Sequence, residues 1–183
     1  MHLTPEQLLE RLAAEGYQTT TTRHPPLHTV EMSRQLRGDI PGRHTKNLFL
    51  KDRKDNYFLV TTGEDSILDL KRLHTLIGAA SRLSFGSAER MMEFLGVTPG
   101  SVTALAVVND RAGRVQAILD EELMSHALIN AHPLTNEATT TMRREDLIAF
   151  MTAAGHPPRI LPVSRPDFPV PAGANCAMTA SND

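Results

Sequence analysis

The stretch HTKNLFLKDRKDNYFLVTT, residues 44–62, decides the fold class. Its two ends are rich in apolar and β-branched residues, which favours strands at 44–51 and 57–62. The polar residues 52–56 between them are typical of a tight turn, so the stretch predicts a β-hairpin. Because residues 48–50 are consecutively apolar, we expect the first strand to be covered on both faces and to lie centrally in a sheet.

Helices and further strands lie irregularly on both sides of this hairpin. A capping box of Thr4 and Gln7 begins a first helix, which Gly16 ends. Because strands joined by hairpins are mixed with helices, without regular βαβ alternation, we expect a single α+β domain. Its sheet is predicted to be mixed and mainly antiparallel, with about seven strands and surrounding helices. The other helices are predicted at 29–37, 66–76, 87–95 and 145–154, and the other strands at 17–22, 83–85, 104–108, 115–119, 127–131, 138–142 and 159–163, with a hairpin turn at 109–113.

Length and composition narrow the class of protein. The chain has 183 residues, of which we assign 1–163 to the domain and 164–183, rich in proline and without periodicity, to a flexible tail. The net charge of −2 and the aromatic content of 4% argue against a protein that wraps nucleic acid or stacks a long single strand. With one cysteine, Cys176, and no apolar run long enough for a membrane helix or a secretory signal, we expect a soluble cytoplasmic protein that binds neither membrane nor DNA.

Positive charge is concentrated around the hairpin. Residues 34–54 contain seven Lys and Arg against two Asp, a local excess of five. Such a surface suits a polyanion contacted at one point, such as the end of a tRNA. For Lys51, Arg53 and Lys54 the pattern favours a solvated turn instead. Lys46 enters the apolar run, so its charge needs either a ligand anion or a route to the sheet edge, and the residue pattern alone slightly favours the second.

Two loops carry groups that are capable of chemistry. The loop HPLTN, residues 132–136, combines an imidazole, a hydroxyl and an amide between two strands. The loop GVTPGSV, residues 96–102, can expose backbone N–H groups to an oxyanion or a carbonyl, although it lacks the Gly-Lys-Ser/Thr of a phosphate-binding loop. Ordinary turn chemistry accounts for either loop equally well. The eight histidines show no metal-ligand spacing, and Cys176 lies in the tail, so we expect no metal, no cofactor and no cysteine nucleophile.

Three segments, taken in order, resemble the YbaK/ProX superfamily of aminoacyl-tRNA editing domains. They are GRHTKNLFL at 42–50, LGVTPGSV at 95–102 and HPLTN at 132–136, and the resemblance covers about residues 1–163. It is closest to the freestanding prolyl-tRNA editing branch. The resemblance implies an aminoacyl-tRNA hydrolase, a carboxylic ester hydrolase that removes alanine from tRNA(Pro), because a synthetase pocket built for proline rejects a smaller amino acid poorly. Deacylation of cysteinyl-tRNA(Pro) and non-catalytic binding of a tRNA end remain alternatives.

The resemblance also implies a site. Lys46 matches the functionally central lysine of the family, and His132 and Gly100 match residues that line its site. The ribose hydroxyl of the substrate is implied to help activate water, so that the enzyme supplies placement and electrostatics. A helical segment near residue 32 would cover the pocket. The predicted catalytic residues are Lys46, Asn47, His132 and Gly100, and the predicted substrate-binding residues are Met32, Leu36, Arg43, Thr45, Ser101, Thr135 and Asn136.

One position departs from the family pattern. The family loop Gly-x-x-x-Pro ends in proline, whereas here the loop that starts at Gly100 ends in Ala104. Because proline would fix φ and stiffen the loop, its loss leaves the identity of the edited amino acid open.

The expected partners are the acceptor end of a mischarged tRNA and prolyl-tRNA synthetase.

Overall fold

The computed structural model describes residues 1–26 and 40–164. The helix predicted at 29–37, with Met32 and Leu36, and the tail from residue 165 onward lie outside these residues. The helices are α1 (Pro5–Ala14), α2 (Leu70–Ile77), α3 (Ala88–Leu95) and α4 (Arg144–Ala153), with 3₁₀ helices at Ala104–Asn109 and Leu123–Ser125. The strands are β1 (Thr19–Arg23), β2 (Arg43–Lys51), β3 (Tyr57–Gly63), β4 (Ser84–Phe85), β5 (Val115–Asp120), β6 (Leu128–Ala131), β7 (Ala138–Arg143) and β8 (Arg159–Leu161).

The described strands form one mixed sheet in the order β1-β7-β6-β2-β3-β5-β8, and β4 also pairs with β2. Four pairings are antiparallel: β1 with β7, β6 with β7, β2 with β3, and β2 with β4. The other three, β2 with β6, β3 with β5, and β5 with β8, are parallel. The predicted α+β class, the mainly antiparallel sheet and the central position of β2 are therefore confirmed.

The predicted hairpin at residues 44–62 is present, and the side chain of Asp52 explains its tight turn. The Asp52 carboxylate accepts hydrogen bonds from the backbone N–H groups of Lys54 and Asn56, at 2.9 and 3.1 Å, and from the Asn56 side chain at 2.9 Å. It also accepts the N–H of Ala80 at 2.9 Å, which ties the turn to the loop after α2. A buried carboxylate that is satisfied in this way fixes the register of β2 against β3.

Three sequence predictions are wrong. The apolar run at 104–108 forms a 3₁₀ helix rather than a strand, capped by Thr103, because a continuous buried run has no periodicity that separates the two. The turn at 109–113 therefore leads from that helix into β5 and is not a hairpin. The helix predicted at 66–76 begins only at Leu70, because the Asp69 side chain accepts the Lys71 N–H and caps it there.

The sheet separates two hydrophobic clusters, because alternate strand residues face opposite sides. Phe49 and Leu59 enter the larger cluster, which lies under α1, α3, α4 and the first 3₁₀ helix. Leu50 and Phe58 enter the smaller one, under α2. This arrangement confirms that β2 is covered on both faces. Within residues 1–26 and 40–164, no helix is long and apolar enough to cross a membrane.

Candidate functional site

Within residues 1–26 and 40–164, the central strand β2 has an open edge, at residues 45–48, beside the predicted motifs. It pairs with β6 only through Arg43 and His44, and β4 joins the same edge only at Leu50 and Lys51. In the described part of the chain, residues 45–48 therefore have a ladder partner on the β3 side alone. Backbone N–H and C=O groups at such an edge are available to a ligand.

A small polar pocket lies where β2 and β6 part. The pocket is partly open to solvent, and its volume of about 10 Å³ is roughly the smallest that holds one water molecule. A larger groove of about 560 Å³ lies against α2 and residues 162–163, but no predicted site residue lines it. The small pocket is the better candidate because two of the predicted motifs meet there. Its lining residues are His44, Thr45, Asn130, Ala131, His132 and Thr139.

Hydrogen bonds fix the walls of this pocket. The Thr45 hydroxyl donates to the Asn130 carbonyl oxygen at 2.8 Å, which joins the two strands just beyond their last ladder pair. His132 Nδ1 lies 3.1 Å from the carbonyl oxygen of Ala138, so an N–H at Nδ1 donates across the loop. The basic nitrogen of the neutral His132 ring is then Nε2. The structure thus brings two predicted residues, Thr45 and His132, to one pocket.

Lys46 and Asn47 lie on opposite faces of β2. The Lys46 ammonium donates a hydrogen bond to the Ser66 carbonyl oxygen, just before α2. Asn47 faces the other way, and its Oδ1 accepts the hydroxyl of the buried Thr61 at 2.7 Å. The two side chains are therefore not on one surface, whereas the backbone of both residues lies at the open edge.

The two predicted loops meet at Gly100. A Cβ atom there would lie 3.9 Å from Asn136 Nδ2, and the φ of +92° favours glycine. The Ser101 N–H donates to the Thr98 carbonyl at 3.0 Å, so this predicted backbone donor is used within the loop. The Thr135 hydroxyl likewise accepts the N–H of Glu137 at 3.3 Å, as in an ordinary turn.

Arg43 is engaged by acidic residues of the protein itself. Its Nη2 lies 2.6 Å from Asp65 Oδ1 and 3.4 Å from Glu122 Oε2. The hydrogen bond to Arg43 holds the pKa of the Asp65 carboxyl below its usual value, and the same bond raises the pKa of Arg43. The guanidinium lies so close to Gly63 that a Cβ there would be 2.5 Å from Arg43 Nη2. Arg43 therefore holds the start of β2 in place, and its charge is already compensated.

Sequence reasoning missed four pocket residues, His44, Asn130, Ala131 and Thr139. A local signal was Asn130, a polar residue between apolar neighbours in β6, whereas β7 carries threonine at 139, 140 and 141, all buried, and so shows no alternation that singles out Thr139. The described residues contain no group of three or more His, Cys, Asp or Glu that could hold a metal ion.

Comparisons with known proteins show the family of this chain. A family model described as "Aminoacyl-tRNA editing domain" matches residues 24–150. The chain is 37% identical over 159 residues to "Prolyl-tRNA synthetase associated domain-containing protein 1" of Mus musculus, covering 85% of this chain and 94% of the relative. It is 33% identical over 138 residues to "Prolyl-tRNA editing protein ProX" of Acetoanaerobium sticklandii, covering 75% and 84%.

Solved structures share the fold. One described as a proposed trans-editing enzyme for prolyl tRNA synthetase superposes with a TM-score of 0.65 at 21% identity, covering 88% of this chain and 98% of the other. The chain therefore belongs to the aminoacyl-tRNA editing domain family of YbaK/ProX type, which confirms the predicted resemblance and the predicted class of enzyme, an aminoacyl-tRNA deacylase.

Proposed function

We propose that this protein edits in trans, hydrolysing the ester of mischarged tRNA(Pro), with alanyl-tRNA(Pro) as its substrate. The observation that carries the proposal is the small polar pocket at the parting of β2 and β6, where Thr45 and His132 from two separate motifs meet. Two relatives whose names refer to prolyl-tRNA or its synthetase support the choice of tRNA.

The reaction needs a water that attacks the ester carbonyl carbon and a ribose oxygen that leaves with a proton. In our proposal the open edge of β2 offers backbone groups to the aminoacylated ribose. His132 is oriented by its bond to the Ala138 carbonyl and places the water. The ribose hydroxyl of the substrate assists the attack, so the protein acts mainly through placement.

Lys46 is assigned to a phosphate or the ester region of the terminal adenosine. One of its acceptors in the structure is the neutral carbonyl of Ser66. A hydrogen bond from an ammonium to a phosphate is stronger than one to a neutral carbonyl. In our proposal the substrate phosphate replaces the Ser66 carbonyl as an acceptor of this ammonium.

Pocket size is the basis of the proposed preference for alanine. A narrow pocket, with room for about one water molecule, suits a methyl group better than a pyrrolidine ring. Exclusion by size discriminates more strongly than a synthetase pocket does, because that pocket prefers its larger substrate by only roughly 1–3 kcal/mol per methylene. We propose that the protein meets its tRNA in the cytoplasm, with prolyl-tRNA synthetase as a further partner.

A panel of esters on one tRNA tests the proposal. Alanyl-, cysteinyl-, seryl- and prolyl-tRNA(Pro) are each incubated with a catalytic amount of the protein, and the remaining ester is measured over time. We expect the alanyl ester to be cleared fastest and the prolyl ester to decay as without enzyme. Faster clearance of the cysteinyl or prolyl ester contradicts the assigned substrate. If every ester decays only as it does without protein, the protein is a binding module.

A further inference from the structure

Asn130 ties three strands together in the wall of the pocket, and its side chain is 2% exposed. Its Oδ1 accepts the hydroxyl of Thr141 on β7 at 2.6 Å, and its backbone oxygen accepts the hydroxyl of Thr45 on β2. Its Nδ2 lies 3.4 Å from Nε2 of His44, which also lines the pocket.

The distances decide which way the Asn130 amide points. A separation of 2.6 Å is usual for O–H···O and short for N–H···O, so the amide oxygen faces Thr141. The amide nitrogen then faces His44 and can only donate. The acceptor must be Nε2 of His44, so the neutral ring carries its proton on Nδ1. A protonated Nε2 would direct its N–H against the amide N–H.

We propose that Asn130 is a positioning residue that holds His44 as a neutral hydrogen-bond donor, protonated on Nδ1, in the wall of the pocket. A neutral donor suits an uncharged acceptor, such as the ester carbonyl or a ribose oxygen of the aminoacylated end. The role of His44 toward the substrate rests on the proposed function, whereas the protonation state of the His44 ring does not. The contact of 3.4 Å is long, and such bonds commonly tighten when substrate binds.

The test uses adjacent residues on β7 as a matched pair. Thr141→Val removes the hydroxyl that orients Asn130. Thr140→Val removes another hydroxyl from a buried threonine, bonded at 2.9 Å to Thr21 on the opposite face of the sheet. A third variant, Asn130→Asp, places an acceptor against Nε2. The readouts are the ring nitrogen shifts of His44 by NMR, identified by their loss in His44→Gln, and kcat and KM for alanyl-tRNA(Pro).

We expect Asn130→Asp to move the His44 proton to Nε2 or to protonate both ring nitrogens, and to lower kcat about tenfold or more, the effect of about one lost hydrogen bond. We expect Thr141→Val to lower kcat less than Asn130→Asp does, and Thr141→Ser to restore kcat to the wild-type value. Thr140→Val should leave the His44 ring nitrogen shifts and the kinetic constants unchanged. The inference is overturned if His44 keeps its proton on Nδ1 in Asn130→Asp, if the proton moves without a change in kcat, or if Thr140→Val matches Thr141→Val. If wild-type protein clears no ester, the proposed function fails, and the NMR shifts still decide the state of His44.

Discussion

Among single residues, substitution of Lys46 distinguishes a ligand-binding role from a structural one. Its ammonium holds the Ser66 carbonyl, which a purely structural lysine would also do. We expect Lys46→Ala to reduce kcat/KM for alanyl-tRNA(Pro) about tenfold or more, because a charge-assisted contact to the substrate is lost. The matched control is Lys54→Ala, which removes the same charge from the exposed tip of the same hairpin. Equal activity of both variants would show that Lys46 only supports the loop before α2.

Asp52 makes the hairpin sensitive to acid. Burial raises the pKa of its carboxyl, but hydrogen bonds from Asn56, Ala80 and Lys54 outweigh this effect and lower it from 3.8 to about 2. Because the folded pKa lies below the unfolded value, the stabilisation is complete above about pH 4 and is lost as the pH falls toward 2. We expect the free energy of unfolding, measured with urea at pH 2–7, to fall in that interval.

The variant Asp52→Asn tests this origin of the acid sensitivity. It removes the charge and leaves N–H donors unsatisfied, so it should lower the free energy of unfolding by about 1–3 kcal/mol at pH 7. It should also flatten the dependence of that free energy on pH between about pH 4 and 2. The control is Asp55→Asn on the same turn, where the exposed carboxylate pairs with Lys51. An unchanged slope in Asp52→Asn would mean that another carboxylate causes the loss.

At the scale of elements, the loop at 132–136 is anchored by a strained residue. Leu134 has a φ of +63°, which costs a non-glycine residue about 1–2 kcal/mol, yet its side chain is 7% exposed within the larger cluster. Burial of the side chain therefore offsets the backbone strain. The strain is located between His132 and Asn136, which the loop presents to the pocket and to Gly100.

This arrangement predicts an unusual order of stability. Leu134→Ala loses the buried side chain and keeps the strain, so it should cost about 2–5 kcal/mol. Leu134→Gly loses the same anchor but relieves the φ cost, and we expect it to be about 1 kcal/mol more stable than the alanine variant. Urea unfolding measures both. A glycine variant that is less stable than the alanine variant would show that the left-handed backbone stores no strain.

The elements also show what local sequence can and cannot predict. The hairpin of β2 and β3 was predictable because its strands and its Asp52 turn are contiguous in sequence. The lysine and loop motifs could be found in the same way. The pairing of His44 with Asn130 could not, because this parallel contact joins residues 86 positions apart and has no turn to signal it. The strand error at 104–108 arose because an apolar run fits either state.

For the whole molecule, the proposed site lies where two halves of the described sheet meet. One half contains β1, β7 and β6, the other contains β3, β5 and β8, and β2 connects them through only two ladder pairs to β6. A joint with few ladder bonds opens more easily than the interior of either half. The proposed site therefore lies at a sparsely paired position of the described sheet, and substrate that bonds to both walls should close it.

Hydrogen exchange tests this closure on the intact protein. A stable amide-linked analogue of alanyl-tRNA(Pro) is added, and amide exchange is followed by mass spectrometry. We expect the largest slowing at residues 45–48 and 130–132, because both walls of the joint gain partners there, and little change in α1, which packs into the larger cluster away from the open edge. The uncharged tRNA serves as the control and should slow these segments less. Protection centred on α2 and residues 162–163 instead would place the aminoacylated end in the larger groove and contradict the assigned pocket.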